Sequence, residues 1–314
     1  SASGGDSPTK AEEDSGIKPP PLPVPVGPLK DLDMRMAVSA NALLSNGQEV
    51  TDAQLLLRVV DGISDLKYLR GVLHEGQLDT RMTIDVRKPV IEVNLGGGMN
   101  GVNIDSLMTS LGSADTARGR VDINWDIETE GKTPEDLQLG LDGDIKVTSS
   151  AVEFLPVSAQ AEMCGAIAKI NGERLSAEMP STTQVSSLAA RIEFEDAQAK
   201  LEQLDIATLG IGMSGEGIAS LRDFNFHMGL KANITEELKQ LDPACRVEER
   251  YVAVDWPIKC SGNLNGDPAS WCRVDTDSIV KQLLENEAKS KLRKETEKLE
   301  KKLGKRLRRL NRYQ

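Results

Sequence analysis

Apolar and polar residues alternate one by one over many separate segments of this chain. In the first segment Leu32, Met34, Met36, Val38 and Ala40 are apolar, and most of the residues between them are polar. Neighbouring side chains of a β-strand point to opposite faces, so a period of two predicts strands with one apolar and one solvated face. Such strands are typical of antiparallel meanders, and not of a parallel sheet covered by helices on both sides. We therefore expect a mainly β fold with a minor helical part.

The same alternation predicts further strands later in the chain. Their apolar positions are Leu78, Thr80, Met82, Ile84 and Val86; Val121, Ile123, Trp125 and Ile127; Leu137, Leu139, Leu141, Ile145 and Val147; Phe224, Phe226, Met228 and Leu230; and Val252, Val254, Trp256 and Ile258. Aromatic residues make up only 3% of the chain, so we expect the apolar face to be mainly aliphatic.

Few segments are predicted to be helical. The candidates are residues 103–111, 156–170 and 235–240, and a long C-terminal helix from Thr276 to about Leu310 with a stripe of leucines. Residues 1–30 are rich in Ser, Gly and acidic residues and then in Pro, which is typical of a disordered linker. We expect a linker over 1–30, a β-rich domain over 31–275 and an amphipathic basic helix over 276–314.

Charge is distributed unevenly along the chain. Residues 289–314 contain 12 Lys and Arg against 3 Glu. Because the whole chain carries −11 and this segment contributes +9, residues 1–288 carry −20. An acidic body repels phosphates, so we expect no nucleic-acid partner. The basic helix is suited to acidic headgroups at a membrane surface.

A sheet built from these strands has a continuous apolar face that a few short helices cannot cover. Either the sheet packs on itself as a sandwich, or it curls into a trough that holds something apolar. The residue pattern alone favours the sandwich and leaves the trough open.

The chain has four cysteines, Cys164, Cys245, Cys260 and Cys272, and no C-x-x-C pair. With only two histidines, this set argues against a zinc site. It favours two disulfides in an oxidising compartment, with four reduced buried thiols as the alternative. Four cysteines allow three pairings, of which we take Cys245–Cys260 and Cys164–Cys272.

No motif indicates an enzyme, a metal site or a cofactor. Residues 96–101 match G-x-G-x-x-G, but the preceding strand alternates where a dinucleotide-binding strand would be continuously apolar. We interpret them as a glycine-rich turn. His74 and His227 have no nucleophile or metal partner nearby in the sequence, so we expect both at the surface. Asp142-Gly143-Asp144 lacks the spacing of a calcium loop.

Seven segments, in a fixed order, resemble the C-terminal region of the AsmA family of bacterial envelope proteins. They are residues 27–33, 46–57, 74–79, 101–107, 117–122, 139–145 and 256–262. Gly101-Val102-Asn103-Ile104-Asp105-Ser106-Leu107, for example, is similar to the family's Gly-Val-Asp-Leu-x-x-Leu turn. The chain departs from the family at His74-Glu75-Gly76, where members often have Tyr-Gly-Gly, and after Ala151.

The resemblance implies a function that composition does not show. Family members are anchored in the inner membrane by an N-terminal helix and project into the periplasm, and they resemble bridge-like lipid transfer proteins. The chain begins at Ser1 and has no apolar run long enough to span a membrane, so we expect a processed periplasmic part whose anchor lies upstream.

With the resemblance added, the open trough becomes the favoured fold. It would shield phospholipid tails for transport between the inner and outer membranes, without catalysis. The expected lining is Met34, Met36, Val38, Met82, Ile84, Val86, Ile123, Trp125, Leu139 and Ile145. The alternative is a scaffold that assists outer-membrane protein assembly, with that machinery as its partner.

Overall fold

The chain folds mainly as β-structure. A computed structural model describes residues 29–45, 47–112, 114–155, 158–247, 255–266, 271–274 and 296. The strands among them are β1 (Met34–Ser45), β2 (Gln48–Val60), β3 (Ile63–Leu73), β4 (Gly76–Asp85), β5 (Ile91–Asn103), β6 (Ala117–Gly131), β7 (Asp142–Phe154), β8 (Thr183–Glu195), β9 (Gln198–Thr208), β10 (Ile211–Ser220), β11 (Asn225–Ile234), β12 (Trp256–Asn263) and β13 (Cys272–Val274). The helices are α1 (Ile104–Ser110), α2 (Pro134–Leu139), α3 (Ala159–Asn171) and two 3₁₀ helices, Glu236–Gln240 and Pro243–Cys245.

All thirteen strands belong to one sheet, in which their order is their order in the chain. Each strand pairs antiparallel with the next, so the sheet is a single uninterrupted meander. The sheet is open, because the described parts of β1 and β13 are its two edges. The prediction of an open, mainly β, antiparallel fold is confirmed.

The sheet has no second β-layer within the described residues. Substantial contacts between described strands occur only between neighbours in the sheet. The closed sandwich, which the residue pattern alone favoured, is therefore wrong. Half-apolar strands are required by both architectures, so the pattern could not separate them.

The predicted strand that begins at Leu137 is wrong in its first part. Leu139 is the last residue of α2, and β7 begins only at Asp142. The Thr133 side chain accepts from the Asp136 amide, the Asp136 carboxylate accepts from the Thr133 amide, and Pro134 occupies the first turn. This capping box starts a helix where the apolar alternation alone indicates a strand.

Other predicted segments agree with the structure to within a few residues or lie outside the described residues. Helices α1 and α3 match the predictions for 103–111 and 156–170, and the first 3₁₀ helix matches 235–240. The predicted C-terminal helix lies outside the described residues, except Thr296. The predicted linker does so too, except Leu29 and Lys30. Leu29 is buried against Val59, Ile84 and Val86.

Two disulfides are present, as predicted, but their pairing differs from the prediction. Cys164 of α3 bonds to Cys245 of the second 3₁₀ helix, and Cys260 of β12 bonds to Cys272 of β13. Cys260 and Cys272 are direct cross-strand partners. The predicted pair Cys245–Cys260 is close in sequence, but Cys245 lies beyond the end of the sheet, against α3. The predicted pair Cys164–Cys272 is wrong as well, because Cys272 lies in β13 beside Cys260 and Cys164 lies in α3 beside Cys245.

Within the described part of the chain, no helix combines the length and the apolar character that crossing a membrane requires.

Candidate functional site

One face of the sheet carries apolar side chains from edge to edge. The pairing register connects one residue of every strand into a row that we call the central row. Its members are Val38, Leu55, Leu69, Thr80, Gly97, Trp125, Ile145, Ile192, Leu201, Gly217, Met228, Cys260 and Cys272. Because directly paired residues share a face of a sheet, these side chains form one continuous surface.

A second row runs beside the central row on the same face. It consists of Met36, Leu57, Leu66, Met82, Leu95, Ile127, Gly143, Phe194, Ala199, Ala219, Phe226 and Gly262. We refer to the surface that contains both rows as the apolar face. Its large side chains are mainly aliphatic, as the scarcity of aromatic residues predicts, and Trp125, Phe194 and Phe226 are its aromatic members.

Most of the predicted lining residues lie on this face. The strand residues Met36, Val38, Met82, Trp125 and Ile145 belong to its two rows. Met34, Ile84 and Ile123 lie on neighbouring rows of the same face, and Val86 follows the end of β4 in the cluster of Val59 and Ile91. Leu139 is the exception, because it lies in α2.

The sequence prediction missed the lining residues of several strands, among them Leu55, Leu69, Ile192 and Leu201. Register shifts interrupt β2 near Leu56, β3 between Leu66 and Leu69, and the β8–β9 pair next to Ile192. A bulge adds a residue and breaks the period of two, which removes the signal on which the prediction rests.

The middle of the apolar face is only partly covered. Every large side chain of the central row from Val38 to Met228 is half-buried. Fully buried residues lie instead towards the strand ends, such as Val102, Val121 and Val152 at one end and Val59 and Ile84 at the other. An aliphatic strip therefore crosses the sheet in contact with solvent.

The helices are divided unequally between the two rims of the sheet. We call the rim that carries α1 the α1 rim; it also carries α3 and the 3₁₀ helices. The opposite α2 rim carries α2 and short turns. Ile104 and Leu107 of α1 pack on Val102 and Val121, so α1 folds back over the apolar face. At the α2 rim the Gln138 side chain donates to the Leu221 carbonyl, which links the β6–β7 and β10–β11 connections.

The sequence model of the AsmA family matches residues 9–151. These residues belong to the AsmA family. The matched part of the chain ends within β7, so the described AsmA segment contributes the first six strands of the sheet, most of β7, and both α1 and α2. No curated protein and no solved structure matches the chain. The match over these residues is consistent with a role in the cell envelope, and two disulfides are typical of an oxidising compartment.

Residues 96–98 of the AsmA segment form no turn but lie inside β5, which corrects the sequence interpretation. Gly97 is on the apolar face beside Trp125. A Cβ on Gly97 would lie 2.5 Å from the Asp79 carbonyl oxygen. On the polar face, a Cβ on Gly96 would meet the Arg81 guanidinium, and one on Gly98 would meet the Asn124 side chain. Because these three positions have no side chains, the backbone and side chains of the neighbouring strands β4 and β6 can approach β5 closely.

His74 of the AsmA segment lies in the β3–β4 turn. Its Nδ1 is 3.0 Å from Ser106 Oγ, and burial lowers the pKa of His74, which favours the neutral ring. The adjacent Glu75 carboxylate accepts hydrogen bonds from Asn103 and Arg120. These contacts attach the turn to α1. His227 is exposed on the polar face of β11.

The polar face of the sheet is solvated and charged. Exposed ion pairs cross it between strands: Arg70 and Asp79 of the adjacent strands β3 and β4 are 3.0 Å apart, and Arg81 of β4 and Asp126 of β6 are 3.9 Å apart across Gly96 of β5. Such pairs add little to stability. Among the described residues, no group of three or more His, Cys, Asp or Glu side chains is placed to hold a metal ion.

Proposed function

We propose that this chain is a periplasmic lipid-transport module whose apolar face shields phospholipid acyl chains between the inner and outer membranes. One observation carries the proposal. The central row crosses thirteen strands, and its large side chains from Val38 to Met228 stay half-buried, without a second sheet over them in the described part of the chain. An exposed aliphatic strip of this extent marks a binding surface.

The chemistry of the face suits acyl chains. Burial of apolar surface contributes about 25 cal/mol per Å², so a lipid tail is held without specific contacts. Thirteen strands at about 4.8 Å spacing give a path of roughly 58 Å along the sheet. Headgroups would remain in water near the rims, and the mechanism needs no catalytic residue.

The cellular setting is part of the same proposal. Family membership supports an envelope location, and the disulfides support the periplasm. An anchor in the inner membrane would belong to sequence upstream of Ser1. The basic residues between 289 and 314 would contact anionic headgroups, at about 1 kcal/mol per basic residue near a membrane surface.

Binding of a fluorescent phospholipid to delipidated protein tests the proposal. Ile145 on the apolar face and Thr148 on the polar face of the same strand provide a matched pair. Ile145→Gln places an amide in the middle of the strip and should weaken lipid binding several-fold, because a desolvated amide without a partner costs about 1–3 kcal/mol. Thr148→Gln should bind like the unmodified protein.

Equal binding by both variants would contradict the use of this face. Delipidated protein that takes up no phospholipid at all would contradict lipid transport itself. Circular dichroism of both variants shows whether the fold is kept, so a loss of structure is not mistaken for a loss of binding.

A scaffold for outer-membrane protein assembly is the second candidate. It is favoured by the twelve-residue strand β1, whose outer edge has no ladder partner among the described residues. Such an edge can pair with an extended segment of another protein. Cross-linking from Arg35 or Ser39 to an unfolded outer-membrane protein, without lipid binding, would support this candidate over the first.

A further inference from the structure

We infer that the acyl-chain path ends before β12, at a wall that the chain's own side chains build across the apolar face. The inference rests on the proposed function and adds a boundary to it. The wall consists of Phe226, Trp271 and the Cys260–Cys272 disulfide, and it is continued at the α1 rim by α3 and the 3₁₀ helices.

The disulfide occupies the end of the central row. Met228 pairs with Cys260, and Cys260 pairs with Cys272. Cys260 is only 2% exposed, in contrast to the half-buried side chains of the same row in β6–β9. The row that is open in the middle of the sheet is therefore closed at Cys260 of β12, whereas Cys272 at the β13 edge is exposed.

Trp271 fills the neighbouring position towards the α2 rim. Its ring lies edge-on to Phe226, with the ring centres 5.1 Å apart. Phe226 pairs with Gly262, and a Cβ on Gly262 would lie 2.8 Å from Cδ1 of Trp271. The indole thus lies over a glycine of β12, and Phe226 is 7% exposed beneath it.

At the α1 rim the same strands are covered by α3 and the 3₁₀ helices, which we call the α3 cap. Ile167 of α3 and Leu238 of the first 3₁₀ helix belong to one buried cluster with Ile234 and Trp256 of β11 and β12. The Cys164–Cys245 disulfide joins the two halves of the cap. Along β12, Trp256 is buried under the cap, Ile258 packs against the same cluster and is half-buried, and Cys260 is buried at the disulfide.

The three tryptophans of the chain occupy different places relative to this wall. Trp125 is in the central row on β6, Trp256 is buried under the α3 cap, and Trp271 is in the wall. Acyl chains that stop before β12 contact the surroundings of Trp125. The space beside Trp271 is already occupied by Phe226 and by Gly262 of β12.

Quenching by phospholipids with brominated acyl chains tests the boundary in two single-tryptophan proteins. One carries Trp256→Phe and Trp271→Phe and reports from Trp125. The other carries Trp125→Phe and Trp256→Phe and reports from Trp271. Binding of brominated lipid, measured against the same lipid without bromine, should cause a large loss of Trp125 emission and little loss of Trp271 emission.

Each other outcome has a separate meaning. Equal quenching of both tryptophans would overturn the wall and leave the proposed function intact. Bound lipid that quenches only Trp271 would overturn the wall as well. Protein that binds no lipid would overturn the proposed function, and the inference with it.

A disulfide variant gives a second readout. In the Trp271 reporter, Cys260→Ala with Cys272→Ala removes the covalent link that holds β13, a strand of three residues. Trp271 quenching should then rise towards the Trp125 level, whereas unchanged quenching would contradict the role of the disulfide in the wall. If this variant does not fold, the comparison of the two disulfide-intact reporters still decides the inference.

Discussion

At the scale of single residues, the apolar face depends on side chains that are absent as much as on those that are present. Gly97 lies in the central row between Thr80 and Trp125. Gly97 has a φ of 157°, and a Cβ at this position would lie 2.5 Å from the Asp79 carbonyl oxygen. The position therefore has no room for a side chain. Trp125 extends from there onto the cluster of Val50 and Leu78, so glycine and tryptophan form one packing unit.

We predict that Gly97→Val destabilises the sheet by about 1–3 kcal/mol, the usual cost of overpacking. The measurement is the free energy of unfolding in urea. Gly229→Ala in β11 is the control, because its Cβ would have no neighbour within 4 Å. Its unfolding free energy should be unchanged or raised by about 0.5 kcal/mol. A Gly97→Val protein as stable as the control would show that the close approach is not required.

Individual residues also show where sequence reasoning reaches its limit. Alternation identifies Met36, Val38 and Ile145 as members of one face, because the period of two is a local property of the backbone. It misplaces Leu139, because the capping box of Thr133 and Asp136 starts α2 and overrides the apolar period. It also mistakes the glycines at 96–98 for a turn, since their strand conformation depends on β4 and β6.

At the scale of elements, the α3 cap is held by one buried carboxylate. Asp242 is 1% exposed and accepts hydrogen bonds from the Ser176 amide and hydroxyl, the Ala177 amide and the Ala244 amide. It therefore joins the segment after α3 to the second 3₁₀ helix. The hydrogen bonds from Ala244, Ala177 and Ser176 lower the pKa of Asp242 to about 2.

This pKa predicts an acid-sensitive cap. An unfolded Asp titrates near 3.9, so the ionised carboxylate stabilises the cap fully above that pH. The stabilisation is lost as the pH falls towards about 2, because protonation removes the acceptor charge. Amide hydrogen exchange at Ser176 and Ala177, followed from pH 5 to pH 2 with correction for the intrinsic rate, should report progressive opening.

Variants distinguish this carboxylate from general acid effects. Asp242→Asn should expose Ser176 and Ala177 to exchange already at pH 5 and abolish the pH dependence. Glu178→Gln, an exposed carboxylate in the same connection, should leave both amides protected. Protection in Asp242→Asn equal to that of the unmodified protein would refute the role of the carboxylate.

At the scale of the whole molecule, stability is local because substantial contacts between the described strands are made only by neighbours in the sheet. Both disulfides lie in the second half, closing loops of 81 and 12 residues. By chain entropy they stabilise the folded state by about 4.5 and about 2.8 kcal/mol. The first seven strands contain no cysteine.

Reduction should therefore loosen one half of the sheet and spare the other. We expect β10–β13 and the α3 cap to lose hydrogen-exchange protection in the presence of a phosphine reductant, while β2–β6 keep theirs. A protein with all four cysteines changed to Ala should not respond to the reductant. Equal loss of protection in β2–β6 would show that the sheet unfolds as one unit.

The architecture of the whole sheet was less predictable than its strands. Half-apolar strands fit both a sandwich and an open meander, and the difference lies in which strands meet, a non-local property. The pairing of the cysteines was hard to predict for the same reason, because it also depends on which elements meet. Cys260 and Cys272 meet because β12 and β13 form a hairpin, and Cys164 meets Cys245 because α3 and the 3₁₀ helices share the α1 rim.

The meander also determines how the chain can fold. Each strand finds its partner in the segment that immediately precedes it, so almost all pairing is between stretches close in sequence. Short-range pairing lowers the entropy cost of closing loops and speeds folding. A chain that enters its compartment N-terminus first can add strands one at a time to a growing edge, and the cysteines arrive after seven strands are in place. Oxidation then becomes a late step that fixes the last strands of the described sheet.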